Sequence, residues 1–226
     1  MEFKISRFEC IEFMMRYPNG YESGKHYPVI ISLHGAGTRG EKVEQLREQC
    51  CYRLTDNMEN FASIMITPLC PANTWFDVFE TLKRFVTFVA DSEFCDRTRL
   101  YLMGGSMGGY AAWQLAMSMP EAFAALVPIC GGGMYWNASR LADVPVWAFH
   151  GAKDPTVLCR ESEILVEKVN KHGGNAKLTI YPENKHDAWT DTYSNPEVYA
   201  WMLSHRKQNA QALAPDTYSN NAKEFG

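Results

Sequence analysis

The 226-residue sequence predicts an α/β protein built on a mostly parallel, doubly wound sheet with helices on both faces. Two observations carry that reading. Short runs that are apolar on both faces close at glycine or proline, as buried parallel strands do. Between them lie stretches whose apolar residues recur at intervals near three and four. Residues 1–18, MEFKISRFECIEFMMRYP, alternate in polarity and carry acidic residues inside the apolar part, so they are read as a strand and not as the unbroken apolar centre of a signal peptide. After the turn Pro18-Asn19-Gly20 comes the first central strand, 27–33, which ends at His34-Gly35-Ala36-Gly37. The same form recurs over 63–68, 99–103, 124–129 and 144–149, and a last strand is expected over 177–181. Helical patterns occupy 41–53, 76–92, 109–119, 156–172 and 196–206, with Pro120 stopping the third.

Composition narrows the function classes. With 46% hydrophobic and 21% charged residues the chain is an ordinary globular one and not disordered throughout. Its 22 basic and 26 acidic residues give a net charge of -4 with no block of Lys or Arg, so the electrostatic footprint of a nucleic-acid or anionic-membrane binder is missing. No run of about 18 apolar residues could span a bilayer. Seven scattered cysteines (Cys10, Cys50, Cys51, Cys70, Cys95, Cys130 and Cys159) show no CxxC spacing, which implies neither a disulfide framework nor a zinc knuckle. They are read as reduced and buried, and the protein as cytoplasmic. With no linker or composition break before residue 206, one domain over 1–206 is expected, then a polar, mobile tail over 207–226. Asp191-Thr192-Tyr193-Ser194-Asn195 returns as Asp216-Thr217-Tyr218-Ser219-Asn220, too short a match for a repeat architecture. It is read as coincidence, with competition by the tail for the place of the first copy as the alternative.

The chemistry starts at Gly104-Gly105-Ser106-Met107-Gly108-Gly109, which follows an expected strand and opens an expected helix. In that context a Gly-x-Ser-x-Gly sequence forms a nucleophile elbow. The serine takes strained backbone angles, and its neighbours two before and two after must be small for strand and helix to approach. Gly104 and Gly108 meet the requirement, and the turn lifts the Ser106 hydroxyl to the positive end of the following helix. A phosphate cradle is the competing reading, but the Walker lysine and the GxGxxG spacing are absent.

A serine hydroxyl needs a base, and the base needs an orienting carboxylate. In the chain order Ser, acid, His, two residues fall just past strand ends: Asp154 in His150-Gly151-Ala152-Lys153-Asp154-Pro155 and His186 in Glu183-Asn184-Lys185-His186-Asp187. His34 and His150 precede glycines at strand ends, where a ring can brace a tight loop. His26, His172 and His205 are read as surface residues. Asp187 adjoins the base too closely to orient it, and Asp143 lies before its strand. For the oxyanion, one donor is the backbone N–H after the nucleophile, Met107, and the second is expected from the His34–Gly37 loop at Ala36. Trp75, Phe76 and Trp189 stand near the expected mouth, where aromatic faces either stack on sugar rings or phenolic acids or simply wall and pack the loops.

These motifs together resemble the α/β-hydrolases, and more narrowly the compact carboxylesterases that carry Leu-His-Gly-Ala-Gly, a Gly-Gly-Ser-Met-Gly-Gly elbow and a His-Gly-x-x-Asp loop before a final histidine. The resemblance covers about residues 28–203 and implies an α/β-hydrolase fold. Ser106, Asp154 and His186 then stand as nucleophile, acid and base, and Ala36 and Met107 as oxyanion donors, with no cofactor and no metal. Enzymes of this shape include feruloyl and acetyl esterases of plant polysaccharides, short-acyl esterases, acyl-protein thioesterases, lysophospholipase-like hydrolases and oligopeptidases. The intervals from 106 to 154 and from 154 to 186 leave no room for a large cap, so an open cleft is expected, suited to small or aromatic acyl groups on a sugar or bulky alcohol. The expected partner is a small-molecule or oligosaccharide ester. An acyltransferase and a hydrolase-fold binding protein are the alternatives. A histidine base of ordinary pKa, about 6.5, implies activity rising from mildly acid to neutral pH.

Overall fold

The computed structural model describes residues 3–40, 42–56, 58 and 61–208. Eight strands, β1 (Phe3–Phe8), β2 (Ile11–Arg16), β3 (Tyr27–Leu33), β4 (Ile64–Pro68), β5 (Cys95–Gly105), β6 (Ala125–Ile129), β7 (Val146–Gly151) and β8 (Ala176–Tyr181), form one sheet in the order β1-β2-β4-β3-β5-β6-β7-β8. From β4 onward every neighbouring pair is parallel, while β2 runs antiparallel to both β1 and β4. This is the α/β-hydrolase arrangement that the sequence predicts, with the continuous apolar strands at its centre buried on both faces.

The opening stretch departs from expectation. It is a hairpin and not one strand, because Glu9, at φ 50°, reverses the chain and brings Phe8 opposite Ile11. No Gly, Asn or Pro marks the turn. Arg84 holds it in place by donating from Nε and Nη2 to the two Glu9 carboxylate oxygens at 2.8 and 2.6 Å, and the same contact draws the Glu9 pKa down.

Helices α2 (Phe79–Ala90), α3 (Met107–Ser118) and α4 (Cys159–Lys171) cover one face of the sheet, where Phe85, Trp113 and Leu165 join one buried cluster. The short α1 (Cys50–Arg53), α5 (Trp189–Ser194) and α6 (Pro196–Leu203) cover the other, where Tyr52, Tyr193 and Met202 join a second. The periodicity over 41–53 splits into a 3-10 segment, Val43–Glu48, and α1, because Gln49 is extended at ψ 145°. The sequence did not point to α5. Its neighbour α6 starts at Pro196, with Asn195 Oδ1 accepting the Glu197 N–H at 2.9 Å. Beyond α6, Lys207 N–H donates to Thr98 O at 3.0 Å; residues 209–226, with the second Asp-Thr-Tyr-Ser-Asn copy, lie outside the described residues. Among the described residues no helix is long and apolar enough to cross a membrane.

Candidate active site

The site is assembled at the C-terminal ends of β3, β5, β7 and β8. Ser106 links β5 to α3 at φ 55°, ψ -119°, a conformation tolerated only where the surroundings impose it. The surroundings are backbone. A Cβ on Gly108 would fall on the Leu33 carbonyl and 2.8 Å from His34 O, and a Cβ on Gly104 would meet the Gly108 carbonyl. Glycine at both positions lets β5, α3 and β3 close around the turn. Gly105 is different, since its nearest neighbours, Trp189 Cβ and Cε3, are at an ordinary 3.7 Å.

The three residues proposed from chain order come together. Ser106 Oγ lies 2.8 Å from His186 Nε2, and His186 Nδ1 lies 2.7 Å from Asp154 Oδ2. Because the carboxylate accepts at Nδ1, Nε2 is the ring nitrogen left to accept the serine proton. The other Asp154 oxygen accepts the N–H groups of Thr156 at 2.8 Å and Val157 at 3.0 Å. Burial alone pushes the Asp154 carboxyl up, but these donors and His186 outweigh it, so its pKa sits below the ordinary carboxylate value. The acid therefore stays ionised.

His150, set aside above as a loop brace, is fully buried behind Asp154. Its Nε2 is 2.9 Å from Val157 O and 3.3 Å from Asp154 Oδ2, and its Nδ1 is 2.7 Å from Ser162 Oγ. His34 is the second brace. Its Nδ1–H donates to Gly35 O at 2.8 Å and its Nε2 accepts the Cys70 N–H at 2.9 Å, while Trp75 Nε1–H donates to His34 O at 3.1 Å. Burial pushes the His34 pKa down to about 4, so the ring that shapes the loop is neutral.

That loop places Ala36 at the first position of a 3-10 turn, Ala36–Thr38, just as Met107 is the first residue of α3. The first N–H groups of a helical turn have no partner within it. Gly35 brings the two starts together, its Cβ position lying 3.5 Å from Ser106 Cβ and from Gly105 O. The two residues expected to bind an oxyanion thus each begin a helical turn, and Gly35, next to one of them, packs against Ser106.

A cavity of about 420 Å³ runs from this point, walled by the His34–Thr38 loop, α1 and α5. Of the three expected aromatics only Trp189 lines it, edge-on to His186 with ring centres 5.2 Å apart. Trp75 is a correction: it is fully buried, packed on His34 and spent on bracing the loop, so no face is open to a ligand. Phe76 is exposed but stacks on Phe79 and does not line the cavity. Sequence reasoning missed the far wall, Ser32, Thr67, Cys51 and Tyr193. The available signal was that Ser32 and Thr67 are polar residues in otherwise apolar strands, one step beyond the pair Ile31 and Ile66.

Cys130 Sγ, a carboxylate oxygen of Asp154 and a ring nitrogen of His186 lie within 4.8 Å of one another, a donor set that a divalent cation could accept. Here the His186–Asp154 hydrogen bond occupies two of the donors, and burial pushes the Cys130 thiol up to about 12, keeping its proton.

Among solved structures the chain resembles a thermostable esterase at 27% identity and TM-score 0.76, covering 91% of this chain and 63% of that one. A ferulic acid esterase matches at 15% identity and TM-score 0.66, covering 88% and 98%. Dipeptidyl peptidase 4 of Porphyromonas gingivalis matches at 13% and 0.71, covering 90% of this chain and 35% of that one. The chain thus spans less than two thirds of the thermostable esterase and about a third of the peptidase. No curated protein is significantly similar in sequence. The sequence model of the dienelactone hydrolase family matches residues 68–224. That stretch carries the elbow, the acid and the histidine, and on it the chain belongs to the dienelactone hydrolase family of α/β-hydrolases.

Proposed function

We propose that the protein is a serine carboxylesterase for esters of small or aromatic acyl groups, feruloyl or acetyl esters of plant polysaccharides among them. The observation that carries the reading is the line Ser106 Oγ, His186, Asp154, at 2.8 and 2.7 Å, beside two helical N-termini. As Ser106 attacks the ester carbonyl, His186 Nε2 takes the hydroxyl proton and Asp154 stabilises the imidazolium. The carbonyl oxygen, now an anion, accepts from the Ala36 and Met107 N–H groups. His186 then returns its proton to the departing alcohol. Water enters by the same route and gives a proton to His186 as its oxygen adds to the acyl carbonyl; the bond to Ser106 Oγ then breaks, the serine takes the proton back from His186, and the acid leaves.

The mouth is bounded by Gly37 and Thr156, both exposed, and by the half-buried Trp189, which supports a substrate whose alcohol part projects into solvent. The seven cysteines are free, though not all buried as expected, since Cys10 is exposed and Cys50 and Cys159 are half-buried; unpaired thiols support a reducing compartment, the cytoplasm. The test is turnover and acylation burst of wild type and Ser106→Ala on p-nitrophenyl acetate, butyrate and octanoate, methyl ferulate and an acetylated xylan oligomer. Wild type is expected to favour the short and aromatic acyl groups, and Ser106→Ala to lose both burst and turnover. Folded wild type that gives neither on any of them would move the reading to a thioester, a peptide or a binding role.

A further inference from the structure

A second surface adjoins the catalytic line, outside the cavity. Glu161, in the first turn of α4, and Tyr110, on α3, approach the same spot over Gly132: its Cβ position lies 2.5 Å from Glu161 Oε2 and 2.9 Å from Tyr110 Cε1, so carboxylate and ring are neighbours. Tyr110 stands one turn past the nucleophile, and its N–H donates to Ser106 O at 3.0 Å. Burial, and then the Glu161 and Asp154 carboxylates nearby, push the Tyr110 phenol up, so it keeps its proton. Both residues are half-buried, yet among the described residues neither the Glu161 carboxylate nor the Tyr110 hydroxyl has a hydrogen-bond or ion-pair partner. The surroundings are apolar and open. Among the described residues the most exposed large hydrophobic side chains are Trp136 at 65% and Leu158 at 64%, in the segments that leave the C-terminal ends of β6 and β7, and Tyr135 is edge-on to Trp136. Leu158 directly precedes α4, and the 3-10 segment Tyr135–Leu141 packs on both α3 and α4.

This surface and the cavity differ in charge. None of the side chains lining the cavity is Lys, Arg, Asp or Glu, so an ammonium carried into it would find no countercharge. On the surface it would find the Glu161 carboxylate and aromatic rings, the two features that together hold an ammonium. In two-step acyl transfer the acyl group stays on the serine while the alcohol departs with the His186 proton. The acyl arm therefore takes the cavity, and the alcohol lies outside it. An acid in the first turn of a helix also complements the helix dipole, but that role asks for neither the ring beside it nor the open apolar rim.

We infer that the preferred alcohol carries an ammonium group, held at Glu161 and Tyr110 with the rim of Trp136 and Leu158 beside it. This rests on the acyl-transfer reading above and specifies the alcohol half of its substrate. Glu161 is then a specificity-determining residue that touches the leaving group and takes no part in the proton transfers.

The experiment compares kcat/KM at low ionic strength, where charge is least screened, for two pairs of acetates that match in shape and differ in charge. The short pair is choline acetate and 3,3-dimethylbutyl acetate; the long pair is 6-(trimethylammonio)hexyl acetate and 7,7-dimethyloctyl acetate. Wild type is expected to favour the cationic member of at least one pair by about fivefold. Glu161→Gln should bring that ratio toward one. Glu163→Gln removes a carboxylate two residues on, one that already pairs with Arg160 at 3.1 Å, and should keep the ratio. A loss of helix stability in Glu161→Gln scales both members of a pair alike and cancels. A wild-type ratio near one in both pairs, a preference that survives Glu161→Gln, or one that falls equally in Glu163→Gln overturns the inference. The two readings fail separately. If a fluorophosphonate still labels Ser106 and p-nitrophenyl acetate is still hydrolysed without the preference, only the alcohol assignment falls; if neither occurs, both do.

Discussion

His150 Nε2 lies 3.3 Å from Asp154 Oδ2, so the carboxylate that holds His186 is flanked by two imidazoles. Val157 O and Asp154 can only accept, and the His150 proton is therefore on Nε2. At Nδ1 the Ser162 hydroxyl has two acceptors, His150 itself at 2.7 Å and Gly131 O at 3.2 Å, so the serine can serve the ring as donor or as acceptor. The other ionisable neighbours of Asp154, namely Cys130, Cys159 and Tyr110, are all pushed upward, chiefly by burial, and keep their protons near neutrality. His150 is thus a positioning residue that draws negative charge away from the His186 side of the carboxylate. In His150→Gln, Asp154 should favour the His186 imidazolium more strongly, and the acid limb of the kcat/KM profile should move to higher pH. A profile lowered equally at every pH would mean that His150 only packs the loop.

The elbow glycines give a sharp contrast. Gly108→Ala puts a methyl group into the Leu33 carbonyl and against His34 O, backbone atoms that cannot swing aside, whereas Gly105→Ala meets only ordinary contacts. Gly108→Ala should lower stability by about 3 kcal/mol or more, and Gly105→Ala by well under that. Urea denaturation midpoints of the two variants decide the matter. Equal midpoints would remove the steric argument for glycine at 108.

This contrast also explains which parts of the site could be read from residues alone. Where geometry forbids a side chain, the sequence has to write glycine, so the elbow is visible at Gly104 and Gly108. Chain order and strand ends then single out Asp154 and His186. The hairpin at Glu9 is invisible because its reversal is held by Arg84, 75 positions away, and by no turn residue of its own. Trp75 misleads for a related reason. An aromatic just past a strand end can face the mouth or the core, and the choice is made by a hydrogen bond to His34 O that has no local signature. Tyr193 belongs to a helix whose six residues are too few to show a period, and its partner Ser32 lies 161 positions earlier.

His34 makes stability depend on pH in a window of its own. Its folded pKa of about 4 lies below the ordinary 6.5, because burial disfavours the charged ring. The unfolded chain therefore takes up a proton that the folded one refuses. The stabilisation is complete above pH 6.5 and declines as pH falls toward 4, by up to about 3 kcal/mol for a 5% exposed ring. Glu9, Asp96 and Asp154, whose pKa values are also lowered, begin to give up their contributions as pH falls through the ordinary carboxylate range, in wild type and in His34→Gln alike. Unfolding free energies measured at pH 6.5 and pH 4.5 should differ less in His34→Gln than in wild type. Parallel slopes would show that His34 accepts its proton in the folded state.

The oxyanion donors can be tested without touching a side chain that does chemistry. Ala36 opens a helical turn, a position where proline is well tolerated, and Gly35 before it is extended at φ -76°, ψ 177°, as a residue preceding proline should be. Ala36→Pro therefore deletes one N–H and leaves the loop braced by His34, Cys70 and Trp75. If that N–H holds the developing oxyanion, kcat should fall roughly 10²–10³-fold while KM changes little, since the contact tightens only as charge builds on the oxygen. Ser106 should still react with a fluorophosphonate, though more slowly, and the melting temperature should stay close to that of wild type. A variant with undiminished kcat would place the second donor elsewhere on the loop, and one that raised KM alone would make the Ala36 N–H a ground-state contact.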